Sequence, residues 1–102
     1  MNTLFVTRHP GAVEWARRRG LKVTALEHLE PTNVGRGDVI IGTLPVSIIA
    51  RVNARGARYL HLTIDTPPHD RGRELTADEM EAFGARLAEY RAWKVERDEP
   101  HY

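Results

Sequence analysis

The chain has 102 residues, a formal net charge of +1 and no cysteine. That length allows one domain with a modest core and excludes an enzyme with a separate lid domain, while the lack of cysteine excludes a disulfide framework and thiolate chemistry. No stretch approaches the ~20 apolar residues of a membrane span, and Met1 to Thr3 lead straight into a strand-like run, so the sequence predicts a soluble, cytoplasmic protein.

In chain order, Leu4 to Thr7 reads as a buried strand and Pro10 to Arg19 as a helix with Val13, Trp15 and Ala16 toward a sheet. Leu21 to Leu26 reads as a second strand. Glu27 to Gly37, with Pro31, Asn33, Gly35 and Gly37, reads as a loop with at most one helical turn at His28 to Glu30. Asp38 to Thr43 is the third expected strand. Pro45 to Arg55 follows as a helix despite its β-branched residues, because Pro opens it and Gly56 closes it. Arg58 to Ile64 is the fourth expected strand, and Asp65 to Arg73 a surface loop at its carboxyl end. A third helix opens on the capping box Thr76 and Glu79, stapled by Leu75 on Met80, and carries Met80, Phe83, Leu87 and Tyr90 at helical spacing. Lys94 to Tyr102 reads as a polar tail that frays, outside a single domain over residues 1–93.

One layout occurs twice. Leu4-Phe5-Val6-Thr7-Arg8-His9-Pro10 runs through a helix to Arg19-Gly20, and Val39-Ile40-Ile41-Gly42-Thr43-Leu44-Pro45 runs through a helix to Arg55-Gly56. Two such βαβ units predict an α/β fold: a small Rossmann-like, four-stranded parallel sheet in the order 2-1-3-4, flanked by helices. Strands one and three then lie side by side with their helices on opposite faces, a switch point where doubly wound sheets bind ligands. Both helix N-termini sit there and offer N–H groups to a phosphate-sized anion. Thr7-Arg8-His9 and Gly42-Thr43-Leu44 form the two walls.

Arg8 is a permanent cation, and histidine is the side chain that ordinarily titrates near neutrality, so Arg8 and His9 are the leading catalytic pair. A surface ion pair for Arg8 and a capping role for His9 are the alternatives. Thr7, Thr43 and Ser47 can hold phosphate or ribose oxygens or serve as caps. Arg71 and Arg73 can close over an anion or remain solvated, and Asp65 can orient a hydroxyl or start the turn before Thr66. No metal is expected, because His28, His61 and His101 share no ligand spacing and His69-Asp70 is isolated. Residues 1–73 hold 11 Lys and Arg against 6 Asp and Glu, and residues 74–102 hold 4 against 8, so a basic body precedes an acidic tail. Near-neutral net charge and few aromatics argue against a general RNA-binding module.

Taken together, Val6-Thr7-Arg8-His9-Pro10-Gly11-Ala12, Ile41-Gly42-Thr43-Leu44-Pro45-Val46, Ala54-Arg55-Gly56-Ala57-Arg58-Tyr59 and Arg73-Glu74-Leu75-Thr76 resemble the small type III CRISPR-associated family numbered sixteen in the Csx series. The resemblance runs through about Tyr90. It implies a stand-alone relative of the CARF sensor fold, a homodimer and a ring nuclease that degrades cyclic tetra-adenylate without a metal or cofactor. On that reading Arg8 and His9 are catalytic, while Thr7, Pro10, Gly11, Gly42, Thr43, Leu44, Pro45, Ser47, Asp65, Arg71 and Arg73 contact the ligand. A binding protein that sequesters the messenger uncut is the alternative. Leu4 to His9 also resembles the opening of the histidine phosphatases, but Pro10 stands where that family has Gly and the chain is about half the needed length.

Overall fold

Pro10 opens the first helix, α1 (Pro10–Arg18), and the second, α2 (Val46–Ala54), begins one residue after Pro45, which serves as its N-cap. Each helix stops at a glycine in the left-handed region, Gly20 at φ 77° and Gly56 at φ 88°. Both stops are Schellman motifs. The N–H groups of Gly20 and Leu21 donate to the carbonyls of Arg17 and Ala16, and those of Gly56 and Ala57 to Asn53 and Val52. A third copy ends α3 (Ala77–Ala82): Gly84, at φ 72°, donates to Glu81 and Ala85 to Met80. The expected long third helix is therefore corrected. Leu87 and Tyr90 belong to a strand beyond that stop.

The strands are β1 (Thr3–Val6), β2 (Thr24–Leu26), β3 (Val39–Gly42), β4 (Arg58–Thr63) and β5 (Arg86–Tyr90) in the computed structural model, which describes residues 1–97. They form one mixed sheet in the order β2-β1-β3-β4-β5. The expected four-stranded, all-parallel sheet is thus corrected to five strands. β1 pairs in parallel with β2 and β3, and β3 with β4, whereas β5 runs antiparallel along β4 with Tyr59 opposite Tyr90 and Thr63 opposite Arg86. Strand β5 covers what would otherwise be the bare outer edge of β4, and Arg58 locks it there by a two-pronged contact with Glu89. The second strand is shorter than the expected Leu21 to Leu26, and the Leu21 N–H is spent on the helix stop. The helical turn expected at His28 to Glu30 instead falls at Pro31–Asn33, where proline starts it and the flanking Leu29 and Val34 bury. A 3-10 turn at Pro68–Asp70 shapes the loop after β4. Of the expected tail, residues 98–102, including His101, lie outside the described residues.

Strand alternation sends Phe5 and Ile41 to one face of the sheet and Ile40 and Tyr59 to the other. The first face packs under α1 and α3 with Ala12, Trp15, Ala16, Ala77, Met80 and Ala85. The second packs under α2 and the 31–34 turn with Leu29, Val34, Ile49, Val52 and Ala57. The helices of the two βαβ units therefore lie on opposite faces. Ion pairs join the acidic tail to the basic body: Arg18 meets Asp78, and Arg19 meets Glu81 at 2.6 Å while its guanidinium lies 5.0 Å over Trp15. The Trp15 indole N–H donates to Glu81 at 2.9 Å, so α1 and α3 are clasped by both polar and apolar contacts. The triple arginine ending α1 does more than complement the helix dipole. Among the described residues no helix is long and apolar enough to cross a membrane.

Candidate functional site

A cavity of about 400 Å³ opens at the carboxyl ends of β1 and β3. Its rim carries Thr7, Arg8, His9, Glu27, Thr43 and Arg73, and its floor is apolar, with Phe5, Val6, Leu44, Leu62, Ile64 and Met80. Both expected walls are there.

Arg8 is exposed, and among the described residues no carboxylate lies within ion-pair distance of it. The surface pairing considered from sequence is not what holds it. His9 occupies the N-cap position of α1, but its side chain makes no cap bond. Its carbonyl accepts from Ala12 and Val13, its backbone N–H donates to the Thr7 hydroxyl at 3.1 Å, and its ring Nδ1 stands 3.6 Å from Glu74 Oε1. Thr7 thus takes the capping-type role and leaves the imidazole at the rim.

The second wall is held from below by Tyr59, a side chain that sequence reasoning placed in the fourth strand and in the family resemblance but not at the site. Tyr59 is fully buried. Its hydroxyl contacts the Gly42 carbonyl at 2.9 Å, the Leu44 N–H at 3.0 Å and His61 Nδ1 at 2.6 Å. With one proton to give, it satisfies all three by donating to Gly42 and accepting from Leu44 and from a protonated Nδ1 of His61. Burial pushes the Tyr59 phenol up despite the Leu44 N–H. The Thr43 hydroxyl donates to the Leu62 carbonyl at 3.2 Å, so the turn is tied to β4 twice. Tyr59→Phe leaves Gly42 and Leu44 short of partners, and we expect a loss of about 1–3 kcal/mol in stability, read as a lowered urea midpoint. A midpoint equal to the parent's would show that water replaces the hydroxyl freely.

Several expected ligand contacts are placed elsewhere. Arg73 reaches the cavity, but its guanidinium is consumed by Asp70 at 2.9 Å, by Glu79 and by the Glu74 carbonyl at 3.1 Å. Arg73, with the Thr76 N–H after it, pulls the Glu79 carboxyl down to about 2, and Glu79 together with Asp70 raises the guanidinium in turn. This network rests on the capping box, in which Glu79 accepts from the Thr76 N–H and donates its own N–H to the Thr76 hydroxyl. Arg73 is a strut rather than a free clamp. Arg71 is exposed outside the cavity lining. Asp65 pairs with Arg86 at 2.9 Å, a partner that exists because β5 does. Pro10 and Pro45 set helix starts and do not line the cavity, and Ser47 faces a different groove. Gly11 touches the backbone of Leu75. Glu27, at the end of β2, is the rim residue sequence reasoning missed: its place follows from the parallel pairing of β2 with β1, with Leu26 beside Val6. Among the described residues no group of three or more histidines and carboxylates is placed to hold a metal.

The rim thus presents a guanidinium at Arg8 and an imidazole at His9 above an apolar floor. A family model described as "Putative CRISPR-associated protein (Cas_VVA1548)" matches residues 4–93 of the chain. No curated protein matches it, and no solved structure does.

Proposed function

The chain belongs to this CRISPR-associated family, and from that premise we propose that it is a ring nuclease acting on cyclic oligoadenylate, with cyclic tetra-adenylate as the expected ring. The observation that supports the reading is the rim itself, where a cation without a carboxylate partner among the described residues adjoins a histidine at the ends of two neighbouring parallel strands. The apolar floor suits an adenine, and Arg8 suits a phosphate. In the reaction, a ribose 2′-oxygen attacks the adjacent phosphorus and the phosphorus bond to the 5′-oxygen breaks. The product ends in a 2′,3′-cyclic phosphate. Positioning supplies most of the acceleration, Arg8 stabilises the charge that develops on the phosphate, and His9 carries a proton to or from the reacting oxygens.

A cavity of about 400 Å³ holds a part of such a ring and not its whole. The reading therefore includes a homodimer that places two mouths on one ligand. Incubation with cyclic tetra-adenylate in EDTA is expected to yield linear products with cyclic phosphate ends, from a protein that sediments as a dimer. Cleavage lost in EDTA and restored by Mg²⁺ overturns the metal-independent mechanism, and a monomer that turns over at micromolar concentration overturns the dimer. One observation favours sequestration without cleavage: Arg73, expected to close over the anion, and the Leu44 N–H are already engaged, which leaves Arg8 as the cation at the rim among the described residues. Tight binding with no product would establish that second reading.

A further inference from the structure

Among the described residues the outer face of α2 leaves Val46 exposed. Residues after β5 return beside it, anchored where Asn53 Oδ1 accepts from the Ala92 N–H at 2.8 Å. Between them lies a groove of about 830 Å³, roughly twice the volume of the mouth cavity. Val46 and Ala50 line it with Arg51, Arg91, Trp93 and Lys94. Trp93 is 79% exposed and Val46 71%, unusual values for side chains of this size and apolarity.

The charges are as telling as the indole. Arg17, Arg18, Arg19, Arg58, Arg73 and Arg86 are all spent on carboxylates. Among the described residues Arg51, Arg91 and Lys94 make no ion pair, although Arg91 adds to the lowering of the Glu89 carboxyl that Arg58 dominates, and all three line one groove whose single acidic lining residue is Glu96. Asn53, its one side-chain amide, is held in place by donating to the Ala57 carbonyl at 3.0 Å and accepting from the Ala92 N–H. Cations without partners beside an exposed aromatic ring are the parts of a single-strand nucleic-acid platform: the ring stacks a base and the cations follow the phosphates. The average composition of the chain hides this, because six of its fifteen basic residues are neutralised by carboxylates elsewhere.

We infer that the groove between α2 and residues 91–96 binds a short single-stranded RNA segment, with a base on Trp93 and phosphates on Arg51, Arg91 and Lys94. The site is separate from the mouth and does not depend on ring cleavage. The test is fluorescence anisotropy of a labelled linear hexa-adenylate titrated with the full chain. Binding is expected to weaken about tenfold or more in Trp93→Ala, as for the loss of one stacked base, and similarly in the Arg51→Ala, Arg91→Ala pair. It should fall steeply with added salt and remain in Arg8→Ala. The Trp93 side chain is almost wholly in solvent, so Trp93→Ala is expected to fold and to process cyclic tetra-adenylate like the parent. Absence of binding, or binding abolished by Arg8→Ala and untouched by Trp93→Ala, overturns the inference. So does a sedimentation profile in which Trp93→Ala converts a dimer to a monomer, which would assign this face to a second copy of the chain.

Discussion

Alanine at position 11 is expected to destabilise the fold by about 3 kcal/mol or more, lowering the melting temperature by roughly 12 °C at the least. A Cβ on Gly11 would lie 2.0 Å from the Leu75 carbonyl oxygen, 3.1 Å from its carbon and 3.3 Å from the carbonyl carbon of Thr76. All three are backbone atoms, so no side-chain rotation relieves the contact. Neither partner yields easily: the Leu75-Thr76 segment is fixed by the capping box and Arg73, and α1 by buried Trp15 and Ala16. Gly35 supplies the control, since the same added methyl meets only Asp38 Oδ2, at an ordinary 3.6 Å. Gly35→Ala should change stability by about 0.5 kcal/mol or less. Equal urea midpoints for Gly11→Ala and the parent would show that the 75–76 segment moves freely. Gly11 is thus the point where the loop from β4 to α3 closes on α1.

The second large effect separates Arg8 from His9. A cation that holds phosphate contributes before and during bond breaking, whereas a proton carrier matters only as the bond breaks. Arg8→Ala should weaken binding of cyclic tetra-adenylate roughly tenfold or more and slow its cleavage as well, in line with the loss of a charged hydrogen bond. His9→Ala should bind nearly as the parent does and cleave roughly 10²-fold more slowly in single turnover. His9 invites this experiment because its side chain makes no cap bond, so its removal does not unmake the start of α1. Cleavage by His9→Ala at the parental rate would leave catalysis to positioning and Arg8. Glu74→Gln, removing the only carboxylate near the imidazole among the described residues, reports in the same assay whether that neighbour aligns the ring.

The parallel βαβ framework and the two rim walls were legible because their punctuation is local: a proline at each helix start, an Arg-Gly at each stop, β-branched runs between. The same punctuation at Phe83-Gly84-Ala85 was overridden by the spacing of Met80, Phe83, Leu87 and Tyr90, which mimics a helical stripe although a strand takes over at Arg86. Leu87 and Tyr90 lie on opposite faces of that strand, since their positions differ by three, an odd step in a period of two. The fate of the arginines was not legible at all. Arg18, Arg19 and Arg58 are paired by carboxylates far away in sequence, and the acidic tail reaches them only once β5 and α3 are in place.

The clasp between α1 and α3 also bears on how the protein comes into being. Trp15 leaves the ribosome well ahead of Ala77, Met80 and Ala85, which cover it, and of Glu81, its hydrogen-bond partner. Until then a large indole and the adjoining sheet face stand in water, and the nascent chain has no finished core on that side. Maturation must wait for translation to pass residue 85, and a product released early presents to chaperones or proteases the surface that the completed molecule hides.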